Sequence, residues 1–333
     1  MAHDAERARE PRKLRTPSAN GSRYLAISFV TAAALVPIGW GLGASEFYAS
    51  HSRNAYDALG ASAFSVEAIS ADVVFIGDSS LLTGVRTRQF EKETGLSAYS
   101  LALPAGMMYR APELLLDKYL AANSRPRLIV LYMGAWSQLD SRYQKSIGWF
   151  EGVSMLARYA PPPLLWDYVR HQPSVILEYP YLLLSSWWSI FDVSTRPYHA
   201  LVRKIGDDKG YLLLGDPVSP ATMNDNCEHD RGAVASDRAS VGAFRARYRA
   251  KAAAFAVYIA PMPACASGFP GAVAAYKGIA DAPVYSLPSD WFLADDNEAH
   301  LTKEAATANT SHVARFVLSF LAEQSPSPDE DQR

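Results

Sequence analysis

Three side chains near the two ends of the chain are of the types that perform nucleophilic chemistry together: Ser79, His300 and an aspartate just before that histidine. Ser79 follows a short β-branched apolar run, Ala71–Ile76, and the break Gly77-Asp78; a helical pattern comes next. A serine so placed projects from the end of a buried strand, where backbone N–H groups and the positive end of the next helix stabilise a developing oxyanion. Its hydroxyl is a weak nucleophile without a base beside it. Of the seven histidines, His300 stands out: it falls in a loop after the last strand-like run, immediately before the final helix. Asp295 and Asp296 lie just upstream, and a carboxylate is what orients an imidazole for proton transfer. The same residues admit plainer roles: Ser79 as the N-cap of the following helix, Asp78 as a turn or cap residue, His300 as a surface residue at a helix start. Cys227, His229 and Asp230 share one polar loop, too small a set to hold a metal. Neither a metal nor a cofactor is expected.

The elements that must position these groups alternate. Ala71–Ile76 reads as a strand buried on both faces. Residues 86–94 read as a helix stopped by Gly95, 96–103 as a second strand, 112–123 as a helix and 127–133 as a third strand. Further on, 238–253 reads as a helix, 254–260 as a fourth strand and 282–286 as a fifth. Residues 302–323 form a long helix with Val313, Phe316, Val317, Phe320 and Leu321 on one side. Such alternation implies a parallel sheet covered on both faces. Ligands of these sheets bind beyond the carboxyl ends of the strands, so chemistry is expected just after Ile76, Leu103 and Met133. Residues 141–237 break the rhythm, with thirteen aromatics from Tyr143 to Tyr211, among them Trp149, Trp166, Trp187 and Trp188. This stretch reads as an insertion over the active end, largely helical to about Ile205. Its tryptophans either fill its own core or offer a platform on which apolar sugar faces stack.

The run FIGDSS at residues 75–80 resembles the first block of the SGNH/GDSL hydrolase superfamily, and DDNEAHLT at 295–302 resembles its last block. The resemblance covers residues 71–140 and 254–322. It implies Ser79 as nucleophile, His300 as general base and Asp296 as the orienting carboxylate. The family places its Asp three residues before the His; here that position is Asn297, so Asp296 is chosen over Asp295. Gly106, in SLALPAG, matches the family's glycine block, so the Ser79 and Gly106 N–H groups form the implied oxyanion hole. The family's Gly-x-Asn block is represented by Gly134-Ala135-Trp136-Ser137, which lacks the Asn; Ser137 or Gln138 stands as its replacement. Gly106 alternatively serves only a tight turn. Alternation and resemblance together give an α/β fold, a flavodoxin-like three-layer sandwich with a mainly parallel five-stranded sheet. Anchored members of the family that face the periplasm resemble proteins adding or removing acetyl groups on exported polysaccharides, such as the alginate O-acetylation proteins. The implied activity is that of a serine esterase or O-acyltransferase acting on a carbohydrate or other acyl-ester substrate, within an envelope polysaccharide machinery. The alternative is a catalytically weak module of the same fold that binds a glycan or a partner.

Composition sets the outer bounds. The chain has 333 residues, 49% of them hydrophobic and 20% charged, which is the make-up of a folding chain. Lys and Arg number 32 against 34 Asp and Glu, a net charge of −2 that argues against a nucleic-acid partner. Two cysteines, Cys227 and Cys265, exclude a four-thiolate zinc site. Residues 24–45 carry no charge and match the roughly 20 apolar residues that cross a bilayer. Six Lys and Arg precede this segment within residues 1–23, and only Arg53 follows within residues 46–60. The positive-inside rule then leaves 1–23 in the cytoplasm and sends the main domain across the membrane. The expected location is the inner membrane, single-pass, with a periplasmic domain. A cleaved signal peptide and a buried soluble helix are the rival readings of 24–45. The rest divides into a connector (46–70), the α/β domain (71–324) with its insertion (141–237), and a polar, disordered tail (325–333). Export makes a Cys227–Cys265 disulfide an option beside two separate thiols.

Overall fold

A computed structural model describes residues 19–51, 55–103, 110–135, 139, 149–185, 198–212, 238–293 and 300–324. Three helices lead in: α1 (Ala19–Gly43), α2 (Glu46–His51) and α3 (Ala55–Phe64). The α/β rhythm follows as β1 (Val73–Gly77), α4 (Ser79–Gly84), α5 (Thr87–Thr94), β2 (Ala98–Ala102), α6 (Ala111–Ala122) and β3 (Leu128–Met133). The insertion supplies α7 (Trp149–Tyr159), α8 (Pro162–His171), α9 (Val175–Ser185) and α10 (Tyr198–Asp207). The chain closes with α11 (Arg238–Arg249), β4 (Ala254–Ile259), β5 (Met262–Pro263), α12 (Phe269–Tyr276), β6 (Ser286–Leu287) and α13 (Lys303–Gln324).

Strands β2, β1, β3 and β4 pair in that order, all parallel. Every residue of the four is buried, as runs without polar alternation require. The two-residue period of a strand sorts their side chains onto two cores. Val74, Ile76, Leu101, Ile129, Leu131, Val257 and Ile259 pack with α6, α11 and α12 on one face. Val73, Phe75, Val130, Tyr132, Ala256 and Tyr258 pack with α4, α5 and α13 on the other. The result is three layers, helix, sheet, helix.

The fifth strand expected over 282–286 does not join this sheet. At the outer edge of β4 the Asp281 carboxylate, not a neighbouring strand, accepts the Val257 N–H at 2.7 Å, and Arg245 holds that carboxylate at 2.6 Å. Pro261 and Pro263 interrupt the continuation of β4, and Pro283 has no N–H to give a ladder. The chain pairs only as a two-residue ladder, β5 with β6.

Residues 46–70 are more than a connector. Ala58, Leu59, Ala61, Ala63 and Phe64 of α3 are buried, and α3 packs against α6, α7 and α10. The helix Ser22–Gly43 within α1 is long and apolar enough to cross a membrane.

Helix α13 is fastened to the sheet by a buried polar cluster. Asn309 Nδ2 donates to Gly84 O at 2.6 Å and to the Tyr132 hydroxyl at 3.0 Å, and its Oδ1 accepts from Tyr285. His312 lies beside it, its Nδ1 hydrogen-bonded to the Tyr258 hydroxyl at 2.8 Å, its ring stacked on Tyr285. Burial pushes the His312 imidazole below its ordinary value, and Arg315 adds to the effect. A histidine whose folded value is lowered contributes stability above its unfolded value, about 6.5. That contribution is lost as pH falls through the folded value, because the unfolded chain binds more protons. Melting temperature is therefore expected to fall from about pH 7.5 to about pH 5, with a shallower fall in His312→Gln; equal slopes in wild type and variant would refute this origin.

Candidate active site at the carboxyl edge of the sheet

Strand order reverses between β1 and β3, since β2 lies to one side and β4 to the other. That switch point is where open α/β sheets place ligands, and the GDS run occupies it. Gly77 ends β1 so close to β3 that a Cβ there would come within 1.8 Å of Tyr132 O. The side chain of Asp78, only 2% exposed, then bridges the reversal. Its Oδ1 accepts from the N–H of Ser80 at 2.9 Å and from the Ser80 hydroxyl; its Oδ2 accepts from Gly134 N–H, beyond β3, at 2.9 Å. The Tyr276 hydroxyl donates to Ala135 O at 2.9 Å and fixes the next residue.

The N-cap of α4 is therefore Asp78, which displaces Ser79 from the capping role the sequence offered it. Ser79 is the first helical residue and half-buried. Among the described residues its hydroxyl makes no hydrogen bond, and its N–H has no backbone acceptor. A partly accessible hydroxyl and an unspent N–H on one residue are what a nucleophile contributing to its own oxyanion hole needs. The N–H of Gly134, by contrast, is spent on Asp78 and is not available to an oxyanion.

His300 is buried, 6% exposed. Its carbonyl accepts from Leu293 N–H at 2.9 Å, Leu301 bridges Phe292 antiparallel, and Thr302 N–H donates to Trp291 O. This short hairpin holds the histidine just ahead of α13. Beside α5, Arg86 donates to Thr307 at 2.8 Å and to Thr310 at 2.9 Å, while Ser311 donates to Glu93 at 2.8 Å, and α5 leads into the start of β2. Helix α13 thus descends antiparallel to the strands, and its amino end, with His300 before it, belongs to the carboxyl edge where Ser79 stands. No hydrogen bond joins Ser79 to His300. Asp295, Asp296, Gly106, Ser137 and Gln138 lie outside the described residues. Cys265 is disulfide-bonded, and Cys227 is the only other cysteine of the chain.

A cavity of about 410 Å³ opens elsewhere, at the amino end of β2, lined among others by Ser62, Ile69, Tyr99 and Val202. Its charged groups satisfy each other, Lys209 Nζ reaching Glu91 at 2.5 Å while Glu91 also accepts Ala98 N–H. Neither Ser79 nor His300 lines it, so the site is assigned by the switch point rather than by cavity size.

Sequence reasoning read Asp78 as a turn or cap residue but missed its grip on Gly134, whose only local signal is the glycine ending the third apolar run. Asp78→Ala strips acceptors from two buried N–H groups and a hydroxyl. At about 1–3 kcal/mol for each unsatisfied group, a loss of about 3 kcal/mol is expected on thermal unfolding. Asp78→Asn keeps one acceptor and should lose less; equal melting of wild type and Asp78→Ala would remove the bridge from the account.

No protein-family model matches the chain, and no curated protein or solved structure is significantly similar to it.

Proposed function

We propose that the protein is a membrane-anchored, extracytoplasmic serine esterase or O-acyltransferase of the SGNH type, acting on ester groups of an envelope or exported polysaccharide. The carrying observation is Ser79 at the switch point, its hydroxyl and N–H both unspent among the described residues, with His300 buried just ahead of α13. The order β2-β1-β3-β4 also matches the first four strands of a flavodoxin-like sheet. A disulfide at Cys265 fits an oxidising compartment beyond the cytoplasmic membrane, as does α1 read as an uncleaved single-pass anchor through residues 24–45.

In this reading His300 takes the Ser79 proton as Oγ bonds to the ester carbonyl carbon. The Ser79 and Gly106 N–H groups hold the oxyanion, and Asp296 orients the imidazole. Collapse breaks the bond to the leaving alkoxide, which receives the proton from His300. Water or a second hydroxyl then takes the acyl group by the same steps in reverse. Hydrolase and transferase share the covalent intermediate, and the acceptor alone separates them.

A second reading has its own observations: no hydrogen bond joins Ser79 to His300, and the Gly134 block lacks the family Asn. These favour a catalytically weak module that binds glycan. A serine-reactive fluorophosphonate probe on the full chain separates the two. Labelling of wild type and none of Ser79→Ala supports the enzyme. No labelling, with polysaccharide binding retained, overturns it in favour of the module.

A further inference from the structure

Helix α9, VILEYPYLLLS, carries one charged residue in eleven, the half-buried Glu178, and is otherwise apolar around its circumference. Val175, Tyr179 and Leu183, one turn apart, are buried at 2%, 0% and 0% against Val153 and Leu156 of α7 and Tyr168 and Val169 of α8. Among the described residues the opposite side is uncovered: Leu177 is 64% exposed and Tyr181 72%, flanked by Ile176 and Leu182. Trp166 of neighbouring α8 is exposed as well. A helix apolar all round belongs in a protein core or in lipid, and this one has a core on one side only.

Its height relative to a bilayer is fixed by α1. The two helices meet where α1 reads Gly39-Trp-Gly-Leu-Gly43. A Cβ on Gly39 would lie 2.5 Å from Pro180 Cβ, and one on Gly43 would lie 1.9 Å from the Tyr179 hydroxyl. The Trp40 indole N–H donates to Ile176 O at 3.2 Å, and its ring sits 4.8 Å from that of Tyr179. Small residues four apart are how helices approach closely within membranes. At 1.5 Å rise per residue, the twenty residues Tyr24–Gly43 span about 30 Å, a full hydrocarbon core. Gly39 then lies about 6 Å inside its boundary, and α9, packed on Gly39 and Gly43, sits at that depth. The exposed aromatics Tyr181 and Trp166 are of the types that settle at headgroup level.

We propose that α9 is a second membrane element, its Leu177–Tyr181 side immersed in the leaflet at the carboxyl end of α1. The inference rests on reading α1 as a spanning helix. The insertion then holds the α/β domain against the bilayer at a set tilt, instead of letting it swing on one anchor.

The test uses the full chain in phosphatidylcholine nanodiscs. Leu177→Cys, Tyr181→Cys, Phe29→Cys in α1 and Leu318→Cys in α13 are each labelled with an environment-sensitive fluorophore; all four native side chains are exposed, so folding is preserved. Lipids bearing a nitroxide near the top of the acyl chain serve as quenchers. The expected result is blue-shifted emission at 177 and 181, with quenching several-fold above that at 318. Quenching at 29 but not at 177 or 181 overturns the inference and leaves the anchor standing. Blue-shifted emission at 177 and 181 without lipid quenching overturns it in favour of a protein surface, such as a second copy, on this side. No quenching at 29 removes the anchor and the inference together.

Discussion

Ser79→Ala and His300→Gln are each expected to reduce turnover of an activated ester by about 10⁴ to 10⁶, and the double variant to lose no more than the worse single. In a triad the nucleophile and base act as one unit, and removing either abolishes the covalent path. Additive losses would mean that the two residues act in separate steps and do not share a proton. Stability should hardly register the first change. The Ser79 hydroxyl makes no hydrogen bond among the described residues, so its removal should fall within the roughly ±0.5 kcal/mol of an ordinary surface substitution. A Ser79→Ala protein that melts like wild type and turns over within about tenfold of it would end the covalent reading. The activity would then lie elsewhere on the chain.

The sheet was legible wherever burial on both faces left an unbroken apolar run. Residues 71–76, 127–133 and 254–260 needed no pairing information to be read as strands; β3 and β4 fall within them, and β1 runs one residue past the first, to Gly77. The fifth strand misled because Val284 and Tyr285 carry strand propensity, while the feature that matters, Asp281 capping the edge of β4, is a side-chain contact across 24 positions. The burial of α3 within the connector went unread for the opposite reason. AYDALGASAF is rich in small residues and shows weak periodicity, so its burial follows from close packing rather than from any pattern of large apolar residues. The placement of Ser79 and Asp78 between β1 and α4 was readable because a strand, a break and a helix start are adjacent in sequence. The tie from Asp78 to Gly134 spans 56 positions, and the cluster of Asn309, Tyr285, Tyr132, Tyr258 and His312 joins α13, β3, β4 and the segment before β6. Single polar residues in apolar runs give no sign of which partner satisfies them.

Arg158 and Asp57 form another long-range contact invisible in sequence, and it carries the largest expected effect on stability. Arg158 Nη2 meets Asp57 Oδ1 at 2.7 Å, with the side chains 4% and 5% exposed. Its Nε donates to Gly43 O at 3.1 Å, the carbonyl end of α1, where a helix leaves acceptors unpaired and favours a cation. Burial alone would lower the guanidinium, but the charge and hydrogen bond of Asp57 more than offset it and hold it raised. One side chain thus joins α1, α3 and α7. Arg158→Met leaves a buried carboxylate without its counter-charge, a change that costs about 3–5 kcal/mol. At about 2–4 °C per kcal/mol for a domain of this size, melting should drop by about 6–20 °C. Asp57→Leu strands the guanidinium and should cost a similar amount. The double variant Asp57→Leu with Arg158→Met removes both charges together and should recover most of the loss, since a buried pair is often near neutral against apolar residues of like volume. A drop under about 1 kcal/mol in Arg158→Met would show the pair to be solvated like a surface bridge. A double variant as unstable as the sum of the singles would put the contribution in the packing of the two stems and not in their charges.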